Sequence, residues 1–121
     1  MAKHNELGKR GEEIARKFLE DKGHAILEIN YRFGRAEIDL ISRCDDLLIF
    51  TEVKTRSSSF FGPPELAVND KKVNLIVSAA QSYLYDNDYE DEIRFDVISI
   101  IISTAANIQI NHFEDAFFPG M

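Results

Sequence analysis

Residues 36–54 form two runs rich in apolar and β-branched residues, separated by a short acidic break at Asp45-Asp46. Runs of this composition predict β-strands, and a two-residue break between them predicts the turn of an antiparallel hairpin. A hairpin strongly constrains a small fold, because its turn fixes which residues of the two strands face each other. The rest of the sheet can then be built outward from this pair of strands.

The hairpin is predicted to bring four charged side chains together. With that turn, Asp39 faces Glu52, and Glu37 faces Lys54. Because side chains alternate between the two sides of a strand, all four are predicted to lie on one side of the sheet. Ile41 and Phe50 continue that side, and the other side receives Ile38, Leu40, Ile49, Thr51 and Val53.

Two carboxylates that face each other destabilise a sheet unless a positive charge lies between them. A divalent cation would supply that charge, since Mg²⁺ prefers oxygen ligands, needs only one or two carboxylates and completes its shell with water or phosphate. The alternative is that Lys54 pairs with Glu37 while the other two carboxylates lie at a solvated sheet edge, because surface ion pairs are common and weak. The hairpin by itself leaves both interpretations open.

Periodic patterns on either side of the hairpin predict the remaining elements. Helical spacing of apolar residues covers residues 5–22 and 70–85, and strand-like composition covers residues 24–33, 93–102 and 108–113. The order is helix, three strands, helix and two strands, which predicts an α/β (α+β) fold with a central mixed sheet flanked by helices. A chain of 121 residues can bury an ordinary core, so we predict a single domain over residues 1–121.

The first predicted helix carries Glu12 at the margin of its apolar stripe, with Gly8 and Gly11 beside it. Glycine leaves space for the close approach of another backbone or of a phosphate. The carboxylate of Glu12 is therefore a candidate to point toward the surface on which the helix packs. The alternative is an ordinary acidic residue in the first half of a helix, where the dipole favours negative charge.

Candidate nucleic-acid contacts follow the hairpin. Arg56 and Ser57, with the serines after them, could donate to phosphates, and Phe60 or Phe61 could stack on a base. Such a segment is also common as a plain connector. Lys71 and Lys72 stand in the first turn of the second helix, where they oppose the dipole, so that either an anion binds there or both lysines are simply solvated.

The charge distribution counts against an ordinary nucleic-acid-binding surface. Residues 1–56 are balanced in formal charge, so residues 57–121 carry the net charge of −7. Affinity for nucleic acids comes largely from basic side chains. A single cysteine, Cys44, excludes an intrachain disulfide, and no apolar run is long enough to span a membrane or form a signal peptide. We therefore expect a cytoplasmic protein with no membrane partner.

In order along the chain, these motifs resemble those of the PD-(D/E)xK nuclease superfamily. They are Glu12 on the first helix, then Glu37-Ile38-Asp39-Leu40-Ile41, then Glu52-Val53-Lys54. Within that superfamily the chain resembles the YraN-like family of bacterial proteins, which is related to Holliday-junction resolvases. The agreement extends from Gly8 to about Phe117 and also includes Asn30, Arg56, Phe61-Gly62 and Arg94-Phe95-Asp96.

The resemblance implies a restriction-endonuclease-like fold and a catalytic set of Glu12, Asp39, Glu52 and Lys54. It makes Asp39, Glu52 and the backbone carbonyl of Val53 the ligands of Mg²⁺ or Mn²⁺, with Glu12 and Glu37 as further candidate ligands. Lys54 would lie beside the attacking water. A relation to resolvases also implies DNA, including branched DNA, as the partner and a homodimer as the assembly.

Two hypotheses of different classes follow. The first is a Mg²⁺-dependent DNA endonuclease that hydrolyses phosphodiester bonds, supported by the complete set of four catalytic candidates. The second is a nuclease-fold module with little or no turnover that binds nucleic acid or a protein partner, supported by the acidic charge. A module of the second kind should tolerate loss of Lys54.

Overall fold

The chain folds into a five-stranded sheet with helices packed on it, in the order predicted from the sequence. The computed structural model describes residues 2–57 and 70–117, with side chains from residue 6 onward. Within these residues the elements are α1 (Ala2–Asp21), β1 (Ala25–Phe33), β2 (Ala36–Cys44), β3 (Leu47–Arg56), α2 (Asp70–Asp86), β4 (Ile93–Thr104) and β5 (Asn107–Phe113). The α+β class and the mixed sheet flanked by helices are confirmed.

The strands lie in sequence order, β1-β2-β3-β4-β5. Neighbours are antiparallel except β3 and β4, which are parallel. A parallel pair needs a long crossover, and the segment that contains α2 provides it. The parallel pair fixes β3 in the middle of the sheet, which buries most of the strand that carries Glu52.

The predicted hairpin register is confirmed over five pairs, from Cys44↔Leu47 at the turn to Leu40↔Thr51. Asp45 adopts a left-handed backbone conformation, with φ of 55°, as tight hairpin turns require. Beyond Leu40 the regular pairing of β2 with β3 ends. Asp39 and Glu52 are the next residues, so the two carboxylates lie where the strands begin to separate.

Two apolar clusters hold the helices on opposite faces of the sheet. The α2 cluster contains Ile76, Ala79, Ala80 and Tyr83 together with Ala36, Ile38, Ile41, Leu48, Phe50 and Phe95. The α1 cluster contains Ala15 and Leu19 together with Leu40, Val53, Ile98, Ile100 and Ile102. The central strands β2, β3 and β4 are therefore largely buried, as expected for the middle layer of a three-layer fold.

Strand β2 does not alternate regularly, so the predicted grouping of side chains was wrong in one respect. Ile38 and Leu40 should share a face, yet Ile38 packs in the α2 cluster and Leu40 in the α1 cluster. The change occurs at Asp39, between them. In β1, Asn30 lies opposite this point and has a left-handed φ of 53°. A local backbone kink in both strands thus overrides the two-residue period of the sequence.

Gly11 allows α1 to lie close against β3. A Cβ atom at this position would collide with the side chain of Thr55, whereas a Cβ at Gly8 would meet nothing within 4 Å. The stretch of α1 beside Glu12 is therefore pressed against β3. At Gly11, the space that the sequence predicted for a backbone or a phosphate is filled by the side chain of Thr55.

We expect Gly11→Ala to lower the free energy of unfolding by about 1–3 kcal/mol, because the stiff, β-branched Thr55 cannot easily move aside. Gly8→Ala is the matched control. It should leave stability unchanged or raise it by up to about 1 kcal/mol, since alanine favours the helix. Chemical denaturation measures both, and equal effects of the two substitutions would contradict the close contact.

A second polar network ties β4 to β5 on the α1 face. The fully buried carboxylate of Asp96 accepts two hydrogen bonds from Arg94, both at 2.8 Å, one from His112 Nε2 at 2.7 Å and one from the backbone N–H of Asp115 at 3.0 Å. Lys22 Nζ donates to His112 Nδ1 at 2.9 Å, which leaves the proton of a neutral imidazole on Nε2. Burial alone would raise the pKa of Asp96, but these donors lower it to about 2.

Asp96→Asn should therefore destabilise the protein at neutral pH, by about 2 kcal/mol or more. The folded pKa of about 2 lies below the ordinary value of 3.8, so the stabilisation is complete above pH 3.8 and is lost as the pH falls through 2. Denaturation of wild type and variant from pH 7 to pH 2 measures this, with the exposed Asp115→Asn as control. A constant difference between wild type and Asp96→Asn across that range would contradict the assignment.

Some sequence predictions fall outside the described residues. They concern the serines after Ser57, Phe60, Phe61 and the last four residues of the chain. Phe117 is described, and its ring stacks on Phe95 with centroids 5.1 Å apart. No helix in the described ranges 2–57 and 70–117 is long and apolar enough to cross a lipid bilayer.

Candidate functional site

A cavity of about 200 Å³ opens where β2 and β3 separate, under the start of α2. Its lining contains the charged residues Arg35, Glu37, Asp39, Glu52 and Lys72, with Ala36, Leu75 and Ile76 as apolar wall. A larger cleft of about 840 Å³ lies at the other end of the hairpin, around the Asp45-Asp46 turn, and has none of the predicted site residues in its lining. The smaller cavity is therefore the candidate site.

Asp39 lies in the strand gap and is largely buried. Its Oδ2 accepts a hydrogen bond of 2.7 Å from the backbone N–H of Val53, which takes the place of a strand-to-strand contact. Burial, followed by the charge of Glu52 and a hydrogen bond to it, raises the pKa of Asp39 to about 9. Without a divalent cation, Asp39 therefore keeps a proton well above the pH at which an ordinary aspartate loses it.

The Glu52 side chain is 7 % exposed and has two differently placed oxygens. Oε1 lies 3.2 Å from Nζ of Lys72, which reaches it from the first turn of α2. Oε2 is buried and accepts no hydrogen bond from any residue that the structure describes. A buried carboxylate oxygen without a donor is costly, so this atom points to a donor or cation that residues 2–57 and 70–117 do not provide.

Lys54 and Lys72 form a pair of neighbouring amines beside Glu52. Burial, then the hydrogen bond and the charge of Lys72, lowers the pKa of Lys54 to about 8. Burial also disfavours the charge on Lys72, but its hydrogen bond to Lys54 and the nearby Glu52 raise its pKa overall. The site thus holds one firmly charged ammonium, on Lys72, and one amine on Lys54 that is easier to deprotonate.

Asn30 joins Glu12 to Glu37. With its amide oriented to satisfy both carboxylates, Nδ2 donates to Glu12 Oε1 at 3.1 Å and to Glu37 Oε1 at 2.9 Å. Glu37 also pairs with Arg32 at 3.3 Å. The pKa of Glu12 is raised overall. Burial raises it most, the hydrogen bond from Asn30 lowers it, and the negative charges of Glu37 and Glu52 add to the rise. The helix carboxylate is therefore held close to the strand carboxylates.

The structure brings together most of the residues predicted from the sequence. Asp39, Glu52 and Lys54 share one neighbourhood, and Glu12 and Glu37 meet through Asn30. The ion pair of Glu37 with Lys54, which the sequence left open as an alternative, is not the contact found, since Glu37 pairs with Arg32 and Lys54 lies beside Lys72.

Two of the nucleic-acid candidates, Lys71 and Ser57, are exposed, and Arg56 is half-buried. None of these three contributes to the cavity lining that the structure describes.

Three features were missed in the sequence. The bridging amide of Asn30 and the position of Arg35 in the cavity lining were not predicted, and Lys72 was predicted to contact an anion but not to pair with Glu52. An asparagine within a strand is a weak signal for a left-handed kink, because asparagine tolerates that conformation. Nothing in the sequence signals the pairing of Lys72, which depends on how α2 docks.

The site suits a divalent cation that is held by few protein ligands. The carboxylates of Asp39 and Glu52 lie close together, and one Glu52 oxygen has no donor in the described part of the chain. No cluster of three or more His, Cys, Asp or Glu side chains is arranged around a common point among the described residues. A cation with two carboxylate ligands and otherwise water or phosphate oxygens matches this arrangement, and Mg²⁺ has that preference.

Asp39→Asn should stabilise the protein at alkaline pH when divalent cations are removed. Asparagine can accept from Val53 N–H and donate to Glu52, so it imitates protonated Asp39. Because the folded pKa of about 9 lies above the ordinary 3.8, wild type is most stable with Asp39 protonated and loses stability as the pH rises toward 9.

Unfolding of wild type and Asp39→Asn in EDTA from pH 6 to pH 9 measures this, with the exposed Asp46→Asn as control. The wild-type free energy of unfolding should fall relative to the variant by up to about 1.4 kcal/mol per pH unit. If the free energies of unfolding of wild type and Asp39→Asn changed with pH in parallel, Asp39 would not be protonated in the folded protein.

Comparisons with known proteins give the family. The model of "Uncharacterised protein family UPF0102" matches residues 11–100 of the chain. A UPF0102 protein of Flavobacterium psychrophilum is 47% identical over 118 residues, which is 98% of each chain. A UPF0102 protein of Phocaeicola vulgatus is 41% identical over 119 residues, again 98% of each chain.

A third relative comes from a different organism, Natranaerobius thermophilus, and is also a UPF0102 protein. It is 47% identical over 113 residues, covering 91% of this chain and 95% of its own. The matched region includes both hairpin strands, α2 and Glu12. The resemblance found in the sequence is thereby confirmed, and with it the restriction-endonuclease-like superfamily. The chain belongs to the uncharacterised protein family UPF0102.

Proposed function

We propose that this protein is a Mg²⁺-dependent DNA endonuclease that hydrolyses phosphodiester bonds. The observation that carries the proposal is the pair of buried carboxylates, Asp39 and Glu52, with two lysines beside them. One oxygen of Glu52 has no donor among the residues that the structure describes. A protein that needed only to fold would gain stability from an apolar pair in this place. The free-energy cost of burying these two carboxylates together therefore supports a chemical role for them.

Phosphodiester hydrolysis needs an activated water, neutralisation of the phosphate charge and stabilisation of the leaving oxygen. A divalent cation, when bound, supplies all three kinds of electrostatic help. Asp39 and Glu52 would hold it, with the backbone carbonyl of Val53 as a further oxygen ligand. The role of Val53 rests on the family resemblance, and its N–H already fixes the orientation of Asp39.

Lys54 is suited to orient the attacking water and to move its proton. With a pKa near 8, its Nζ is partly neutral at physiological pH and can accept a proton, which an ordinary lysine at 10.5 cannot readily do. Lys72 keeps its charge beside it and can face a phosphate oxygen. The two amines therefore divide proton transfer and charge neutralisation between them.

Glu12 and Glu37 would extend the site away from the strand gap. Asn30 holds them together, so a cation or an ordered water beside Glu12 would have two carboxylates within reach. A groove of about 310 Å³ continues from this point between α1 and β1, with Lys9 and Arg16 in its lining. Contacts of these basic side chains with backbone phosphates would be consistent with a nucleic-acid substrate.

DNA as the substrate, and branched DNA in particular, rests on the relation of the family to Holliday-junction resolvases. A homodimer would follow from the same relation, because two symmetric cuts need two sites. Arg56, Ser57 and Lys71 remain candidate phosphate contacts outside the cavity. With a net charge of −7, such contacts would have to come from local basic side chains.

A second candidate function is a nuclease-fold module that binds nucleic acid or a protein and turns over slowly or not at all. The observation in its favour is the ion pair of Lys72 with Glu52, which neutralises the site without a metal. In such a module Lys54 and Asp39 could be replaced without functional loss. The two functions therefore differ in what a substitution at the site does.

The test is cleavage of labelled single-stranded, duplex and four-way-junction DNA with Mg²⁺, Mn²⁺ or EDTA. We expect metal-dependent cleavage by wild type and a loss of about 100-fold or more for Asp39→Asn and for Lys54→Ala, because each removes a group that acts on the reacting atoms. Glu12→Gln should also reduce the rate. Glu20→Gln, an exposed residue of the same helix, is the control and should cleave normally.

Wild type that binds these DNAs but cleaves none with either metal would favour the binding module. Wild type that neither binds nor cleaves would rule out both functions for these substrates. Cleavage that persists in Asp39→Asn would indicate a contaminating nuclease or a different site.

A further inference from the structure

We propose that Lys72 is a built-in counter-ion for Glu52 which a divalent cation displaces, so that metal binding releases the Lys72 ammonium to bind the phosphate of the substrate. This inference rests on the proposed function of the same site. It adds an order of events, in which the metal binds first and the nucleic acid second. It also gives the site a stable state without metal.

The contact geometry supports a counter-ion role. Lys72 Nζ lies 3.2 Å from Oε1 of Glu52, whose side chain is 7 % exposed. A carboxylate this deeply buried needs a positive partner. Among the described residues, Lys72 is the cation that forms a salt bridge with Glu52. Asp39 is a second carboxyl group close to Glu52 and supplies no positive charge.

The position of Lys72 on α2 makes the contact easy to break. The residue stands in the first turn of the helix, where the helix dipole opposes a positive charge. Its side chain is 38 % exposed, against 7 % for Glu52. The flexible four-carbon stem can therefore swing the ammonium toward solvent without any movement of the helix.

A cation between Asp39 and Glu52 would take over the charge that Lys72 now balances. The ammonium and the metal ion would then repel each other across a short distance, and Glu52 cannot satisfy both fully. Lys72 would be left next to the position at which a phosphate approaches the metal. The positive charge of Lys72 would then interact with the substrate phosphate instead of with Glu52.

The neighbour Lys71 provides a matched control. It has the same side chain in the same helical turn but is exposed and is not part of the cavity lining that the structure describes. A general effect of removing one positive charge from the start of α2 would appear in both Lys71→Gln and Lys72→Gln. Competition for Glu52 would appear in Lys72→Gln alone.

The experiment titrates Mn²⁺ into the full-length protein at pH 8 without DNA and follows binding by calorimetry. Lys72→Gln should bind Mn²⁺ more tightly than wild type, by about fivefold or more, because the state in which the ion pair occupies Glu52 is lost. Lys71→Gln should bind within about twofold of wild type. Lys72→Arg keeps the charge and should not tighten binding, which separates the loss of the ion pair from damage to the fold.

A second readout follows the lysine itself. In protein with ¹³C-labelled lysine, the ε-carbon signal of Lys72, identified by its absence from Lys72→Gln, should shift when Mg²⁺ is added. The signal of Lys71 should not. These shifts report a change in the surroundings of the ammonium, and they do not depend on catalysis.

Equal or weaker Mn²⁺ binding by Lys72→Gln, with wild type binding the metal, would overturn the counter-ion role and leave the proposed nuclease untouched. Failure of wild type and Lys72→Gln alike to bind Mn²⁺ or Mg²⁺ would overturn both proposals. Binding by Lys72→Gln where wild type shows none would support strong competition by the ammonium.

Discussion

Burying the carboxylates of Asp39 and Glu52 in one cavity is costly, because each loses its hydration and each repels the other. The protein reduces this cost in two ways. Asp39 keeps a proton and accepts from the N–H of Val53, and Glu52 takes the ammonium of Lys72. The pair lies where the regular pairing of β2 with β3 ends, within reach of the first turn of α2.

The two helices contribute to the site from opposite faces of the sheet. Close packing at Gly11 brings Glu12 to the strands from α1, while α2 brings Lys72. The kinks at Asn30 and Asp39 let one stretch of sheet present polar groups to both helices. A regular strand would have directed all its charged side chains to one face, and the acid from α1 would have had no partner there.

Asp96, on the neighbouring strand β4, is a buried carboxylate in different electrostatic surroundings. Asp96 is more deeply buried than the site carboxylates, yet every donor it needs is supplied by the protein chain. Its pKa is accordingly lowered, whereas that of Asp39 is raised. Asp96 is therefore a carboxylate that stabilises the fold, whereas Asp39 and Glu52 are carboxylates that suit a cation.

The sequence by itself determined the order of elements, the hairpin register and the identity of the acids and lysines, because these follow from local periodicity and turn chemistry. Only the tertiary structure decided that Ile38 and Leu40 lie on different faces, that Asn30 links Glu12 to Glu37, and that Lys72 pairs with Glu52. Those contacts join residues far apart in the chain or depend on a backbone kink. Local patterns do not encode them, since they arise from how helices dock on a strained sheet.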